Sequence, residues 1–282
     1  MITKDTRFLI VGLGLIGGSY AMGLKKQGYH VDAIDINQLS IDFAIQNNII
    51  DDGSTFDIEL IQNADFIISG LYPNMMLEWL NDYQHYMKPN TFITDVTGVK
   101  TSTVYMMQEK LRKDLIFCAS HPMAGKEVSG VKYADDSIFH NANFIITPTN
   151  QNSDEHIKTL QQFATILGFQ NISVLTPEKH DEMIGFLSQL THVIAVSLMN
   201  TNDNTHLVEY TGDSFRDLTR IAKINENLWT ELFFLNKTEL IKQIDAFLSS
   251  ITHMRDVLVN DDVEELKQLF IQSTIRRKLF DK

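Results

Sequence analysis

The chain has 282 residues, 44% of them hydrophobic, and a formal net charge of −12. That apolar content can bury a large core, in two domains, and the acidic surplus opposes non-specific capture by nucleic acid or an anionic membrane. No apolar run reaches the roughly 18 residues a membrane helix needs. The single cysteine, Cys118, excludes an intramolecular disulfide and reads as a buried strand residue, and these features together suit a cytoplasmic protein.

The first element, Arg7–Val11, is a short apolar run bounded by charge and glycine, the pattern of a buried parallel strand. It leads into Gly12-Leu-Gly14-Leu15-Ile16-Gly17-Gly18-Ser19 and then a helix-compatible stretch. The G-x-G-x-x-G spacing at a strand-to-helix turn suits a dinucleotide. Gly12 permits the tight turn, Gly14 lets backbone approach a pyrophosphate, Gly17 lets helix and strand pack closely, and the helix N-terminus supplies N–H donors. A second strand over 30–35 ends in Asp35, whose carboxylate accepts from ribose hydroxyls and would repel a 2′-phosphate, so NAD is expected rather than NADP. The candidate cofactor residues are Gly12, Gly14, Leu15, Ile16, Gly17 and Asp35. The basic, apolar start also resembles a signal peptide, but the glycine spacing, the missing A-x-A site, Asp35 and the lone cysteine oppose that reading.

Further strand-like runs at 65–69, 91–95, 115–119, 143–147 and 172–176 alternate with helical segments, which predicts a mostly parallel sheet covered by helices. After Pro177 the strands stop. Thr176 suits a helix cap and Pro177 a first helical position, and helices are expected near 177–202, 205–220, 225–259 and 263–279. The predicted fold is α/β, a Rossmann-type domain over residues 1–175 followed by an all-α domain over 176–282.

Ligands in open α/β sheets sit beyond the carboxyl ends of the strands. Gly70-Leu-Tyr-Pro73, the stretch Asp95-Val-Thr97-Gly98-Val-Lys100 and Ser120-His121-Pro122 follow three predicted strands and should face one crevice. His121, expected in a strand-end loop, is the natural acid–base group there, because imidazole titrates near neutrality. No metal is called for.

These stretches, with His121-Pro-Met-Ala-Gly-Lys-Glu127-Val-Ser-Gly130 and Phe215-Arg-Asp217-Leu-Thr-Arg220-Ile-Ala222 followed by Trp229, resemble the prephenate dehydrogenase family, in order and over nearly the whole chain. The resemblance implies NAD-dependent oxidative decarboxylation of prephenate to 4-hydroxyphenylpyruvate, a step towards tyrosine, in a homodimer assembled through the helical domain. It implies His121 as the base, Arg220 as a carboxylate ligand, His192 and Trp229 beside the substrate, and Glu127 and Asp217 as acids organising the pocket. Trp229 as helix-packing core and Asp217 as part of a solvated ion pair are the plainer readings. The chain departs from the family where Gly98 stands in place of a frequent serine, and where Gln189-Leu-Thr191-His192 replaces H-L-P-H. Thr97 is the expected substitute for the missing hydroxyl. Alternatives are an arogenate dehydrogenase, another two-domain NAD-dependent hydroxyacid dehydrogenase or imine reductase, and a non-catalytic NAD sensor, which would need neither His121 nor Arg220.

Overall fold

Six strands pair in parallel: β1 (Arg7–Val11), β2 (His30–Ile34), β3 (Asp52–Ser54), β4 (Phe66–Ser69), β5 (Phe92–Asp95) and β6 (Ile116–Phe117), in the spatial order β3-β2-β1-β4-β5-β6. The computed structural model describes residues 1–126 and 128–281. Helices α1 (Leu15–Lys26), α2 (Gln38–Gln46), α3 (Ile58–Asn63), α4 (Pro73–Tyr83) and α5 (Thr101–Lys110) connect these strands. Phe8, Leu9 and Ile10 on β1 and Phe66, Ile67 and Ile68 on β4 are buried without alternation, as expected for parallel strands covered on both faces. The strand order reverses between β1 and β4, which opens a crevice at their carboxyl ends. The loops beyond these two strands are in close contact: a Cβ on Gly70 would lie 2.8 Å from the Gly12 carbonyl oxygen.

Residues 115–119 do not form the single strand expected. The chain leaves the first sheet after β6 and enters a second, β7 (Ala119–Pro122), β8 (Asn143–Thr147) and β9 (Asn171–Val174), with β7 and β8 antiparallel and α6 (Asp154–Ile166) between β8 and β9. The switch has a local cause. Cys118 N still donates to Ile93 O at 3.1 Å, but at Ser120 the side chain of Asp95 takes over, its Oδ1 accepting from Ser120 N at 3.0 Å. His121 therefore stands on β7 opposite Ile145, not in a loop. Cys118 is buried at the crossing, and burial pushes its thiol up to about 12.

The helical stretch that follows comprises α7 (Pro177–Ile184), a π-helical turn (Gly185–Gln189) and α8 (Leu190–Asn200), with the Thr176 hydroxyl capping Lys179 N at 3.2 Å. By length and composition Pro177–Asn200 could cross a membrane, contrary to the expectation that no such run exists. It also carries the buried polar residues Asp181 and Gln189, whose backbone carbonyl and side-chain oxygen respectively accept from the Asn236 amide. The helix expected over 205–220 is divided into a 3₁₀ segment (Thr205–Tyr210) and α9 (Asp213–Thr219), because Gly212 is extended (φ −92°, ψ 174°). A 3₁₀ turn, Arg220–Ala222, precedes α10 (Glu226–Leu235). The long helix expected over 225–259 is broken at Asn236, whose backbone leaves the helix (φ −114°, ψ 24°) while its side-chain amide donates to Asp181 O at 2.9 Å and Gln189 Oε1 at 2.8 Å.

Contacts divide the chain into two units, Met1–Asn236 and Lys237–Lys282. The second unit consists of α11 (Lys237–Val259) and α12 (Val263–Arg277), joined by a turn in which Asp261 adopts φ 53° and Asp262 Oδ1 caps Glu265 N at 3.0 Å. Leu248, Ile251, Phe270, Ile271 and Ile275 on these helices are exposed.

Candidate active site

A cleft of about 720 Å³ lies within the first unit, bordered by the glycine loop, the loops after β4 and β5, the segment from His121 to Gly130, and residues of the π turn, α8 and α10. Gly12 has φ 96°, a conformation glycine adopts without strain. A Cβ on Gly17 would fall 2.0 Å from the Gly12 carbonyl oxygen, whereas one on Gly14 would meet nothing within 4 Å. The glycine at 17 thus serves the packing of α1 against β1, and the glycine at 14 leaves open the space in front of the helix N-terminus. Leu15 and Ile16 border the cleft between them. Asp35 immediately follows β2 with its carboxylate turned to this loop: Oδ2 accepts from Leu13 N at 2.6 Å and Oδ1 from Asn37 N at 2.8 Å. Open backbone donors beside an acid at the end of the second strand fit a dinucleotide with an unphosphorylated adenosine ribose.

His121 also lines the cleft. Its Nδ1 lies 2.9 Å from Nε2 of His180, whose Nδ1 lies 2.8 Å from Asp181 Oδ1. Neither His180 nor Asp181 figures among the residues expected from sequence, though both are buried. Asp181 also accepts from the first backbone N–H groups of α5, Lys100 N at 2.8 Å and Thr101 N at 2.7 Å. Burial alone would raise its carboxyl pKa, but the hydrogen bond from His180 and the backbone donors hold it below the usual carboxylate range. An ionised carboxylate only accepts, so His180 donates from Nδ1 and accepts at Nε2, His121 donates from Nδ1, and its Nε2 carries the lone pair. Burial foremost, then the neighbouring His180 and Lys100, hold His121 well below the ordinary imidazole range. The ring is neutral at physiological pH, the state a base requires.

Thr97 borders the cleft, but its hydroxyl does not turn to His121. It donates to Asp95 Oδ2, lies within 3.0 Å of Val99 O as a second acceptor for the same proton, and accepts from Lys100 Nζ at 3.2 Å. This corrects the expectation that Thr97 replaces the absent serine hydroxyl: the buried Asp95–Lys100 pair captures it. Gly98 stands beside the imidazole, where a Cβ would lie 3.9 Å from His121 Cε1 and 3.6 Å from Leu232 Cδ1.

His192 stacks on Trp229 with ring centroids 3.6 Å apart, and its Nδ1 donates to Ser188 O at 2.9 Å. Both rings border the cleft. Gln189 points inward instead, its amide donating to Leu232 O at 3.1 Å, which gives this departure from the family pattern a structural role. Thr191 closes back on Ser188 O at 2.6 Å. Arg220 and Asp217 are exposed; Arg220 immediately precedes the cleft-lining Ile221, and Lys223 and Lys126 supply basic groups on the cleft wall. Glu127 lies outside the described residues.

Residues 20–173 match the prephenate dehydrogenase nucleotide-binding domain and residues 176–272 the prephenate dehydrogenase dimerization domain. The chain is 30% identical to the prephenate dehydrogenase of Bacillus subtilis over 95% of its own length and 74% of that protein's. It is 28% identical to a cyclohexadienyl dehydrogenase of Zymomonas mobilis, over 96% and 95% of the two lengths. Among solved structures, prephenate dehydrogenase from A. aeolicus in complex with hydroxyphenyl propionate and NAD+ superposes with a TM-score of 0.91 at 30% identity, covering 100% of both chains.

Proposed function

The chain belongs to the prephenate dehydrogenase family, and from that premise we propose that it converts prephenate to 4-hydroxyphenylpyruvate and CO₂ with reduction of NAD+, a step towards tyrosine. The observation that carries the proposal is the His121–His180–Asp181 chain, which leaves Nε2 of His121 unprotonated in a cleft that the glycine loop also lines. Gly12, Gly14, Leu15, Ile16 and Gly17 hold the pyrophosphate region and Asp35 the ribose. When bound, NAD+ would supply the hydride acceptor for the ring carbon that bears the hydroxyl.

His121 accepts the hydroxyl proton at Nε2 as the ring carbon becomes a carbonyl carbon. The imidazolium formed is stabilised along the chain by His180 and the ionised Asp181. Loss of the ring carboxylate as CO₂ aromatises the ring and places negative charge on the same oxygen, to which His121 returns the proton. Protons and charge balance with no other acid. His180 is a positioning residue, since it fixes the tautomer and direction of the base. His192 and Trp229 form an aromatic wall for the substrate ring, and Arg220 binds a substrate carboxylate through its planar fork. Glu127 and Asp217 belong to the same proposed pocket as organising acids.

Functionally the division falls at 175/176, with nucleotide binding before it and substrate binding and dimerisation after it. The exposed apolar residues of α11 and α12 support a homodimer. A cytoplasmic location is consistent with the one buried, unpaired cysteine. The direct test is to supply purified protein with NAD+ and either prephenate or arogenate. NADH formation with 4-hydroxyphenylpyruvate in equal amount supports the proposal; turnover of arogenate alone assigns the amino acid as substrate, and turnover of neither removes the activity.

A further inference from the structure

Lys100 is fully buried and takes no part in the steps above. Its ammonium donates to Asp95 Oδ2 at 2.6 Å, to the carbonyl of Ser120 at 2.6 Å and to the Thr97 hydroxyl at 3.2 Å. An ammonium has three protons, so each is used. Ser120 immediately precedes His121 on β7, and this contact holds the strand that carries the base. The backbone of the same lysine acts at the far end of the chain, where Lys100 N and Thr101 N bind the two oxygens of Asp181. The hydrogen bonds close a ring: Lys100 side chain, Ser120, His121, His180, Asp181 and back to Lys100 backbone.

Taking an ammonium out of water is costly, and a well-packed apolar residue of similar volume commonly replaces a buried ion pair without loss of stability. The pair therefore needs a reason beyond packing. We propose that Lys100 is a positioning residue for the reaction, fixing Ser120–His121 and Asp181 in one register and placing its ammonium behind the base. This rests on the reading of His121 as the base. The charged and titratable groups facing His121, among the described residues, are His180 and Asp181 on α7 and Lys100 and Asp95 around the end of β5, with His192, Lys126 and Lys223 on the shared cleft. Lys100 opposes protonation of His121, so its removal moves the acid limb of kcat/KM to higher pH.

The test compares wild type, Lys100→Met, and Asp95→Asn combined with Lys100→Met. The single variant should lose about 10- to 100-fold in kcat, with the KM for NAD+ little changed and the acid limb raised by about one pH unit, the scale of one strong hydrogen bond and one nearby charge. The double variant leaves no orphaned carboxylate in the core; it should fold and bind NAD+ but keep the low kcat. Recovery of kcat to within a few-fold in the double variant would show that Lys100 only neutralises Asp95, and would overturn the proposal. An unmoved acid limb in a folded single variant would overturn it too. If the single variant does not fold, the double variant and imidazole NMR of the wild type decide: His121 should keep its proton on Nδ1 and titrate below the usual range, and titration near about 6.5 contradicts the proposal. The NMR arm needs no substrate, so it separates failure of this inference from failure of the proposed activity.

Discussion

Nδ1 of His121 and Nε2 of His180 are 2.9 Å apart, and the second imidazole is anchored on Asp181 at 2.8 Å. This contact sets which nitrogen of His121 reaches the cleft. Replacing His180 by Gln should leave NAD+ binding and the fold intact but lower kcat by about 10- to 100-fold, the worth of one lost hydrogen bond of about 1–3 kcal/mol at a buried site. Steady-state kinetics with prephenate check this; an unchanged kcat would remove His180 from the account.

The same burial sets a pH dependence. His121 is held well below its ordinary value by burial, then by His180 and Lys100, and His180 is lowered mainly by burial. The neutral form is the one proposed to act as the base, so kcat/KM should persist as pH falls through about 6.5 and decline only below it. Stability shares the sign. In the unfolded chain both rings take up protons below about 6.5 while in the fold they do not, so stability should fall as pH is lowered through that value towards the depressed folded values. Urea midpoints measured across this range check the sign, and a midpoint that rises on acidification would contradict it.

Two glycines of one loop should behave differently. Gly17→Ala places a Cβ 2.0 Å from the Gly12 carbonyl oxygen, so α1 must shift and thermal stability should fall along with NAD+ binding. Gly14→Ala meets nothing within 4 Å; the melting temperature should be kept while the Michaelis constant for NAD+ rises, because the added methyl occupies the space proposed for the pyrophosphate. Calorimetry beside kinetics distinguishes the two, and equal loss of stability in both would sink the assignment of the loop.

Gly98→Ser should fold normally, since its Cβ stands at ordinary contact distance from Leu232 and His121. Thr97→Val should act differently from a loss of substrate contact. Its hydroxyl serves Asp95, Val99 and Lys100, so the variant should lose on the order of 1 kcal/mol of stability by denaturant unfolding. A Thr97→Val protein of unchanged stability but lower turnover would restore the hydroxyl to a substrate role.

The glycine fingerprint, Asp35 and the alternation of strand and helix were legible because each depends on residues close in sequence. His121 was legible as a candidate base facing the crevice but not as a strand residue, because the crossing between sheets at Cys118 is directed by the side chain of Asp95 on another strand. His180 and Asp181 lie in the first turns of α7, where Pro-Glu-Lys-His-Asp reads as a polar, capped helix start. Their burial comes from packing against the start of α5, which no local pattern reports. An adjacent His-Asp pair just ahead of an apolar helix was the one available signal. The break at Asn236 was hidden for the same reason, since its partners Asp181 and Gln189 are remote in sequence.

The most direct measurement is the rate of NADH formation from prephenate by His121→Asn, beside its affinity for NAD+. Asparagine keeps a hydrogen-bonding group and removes the base, so turnover should fall by about 10²–10⁴ while NAD+ affinity stays near that of the wild type. Turnover close to the wild-type rate would contradict the assignment of His121 as the base.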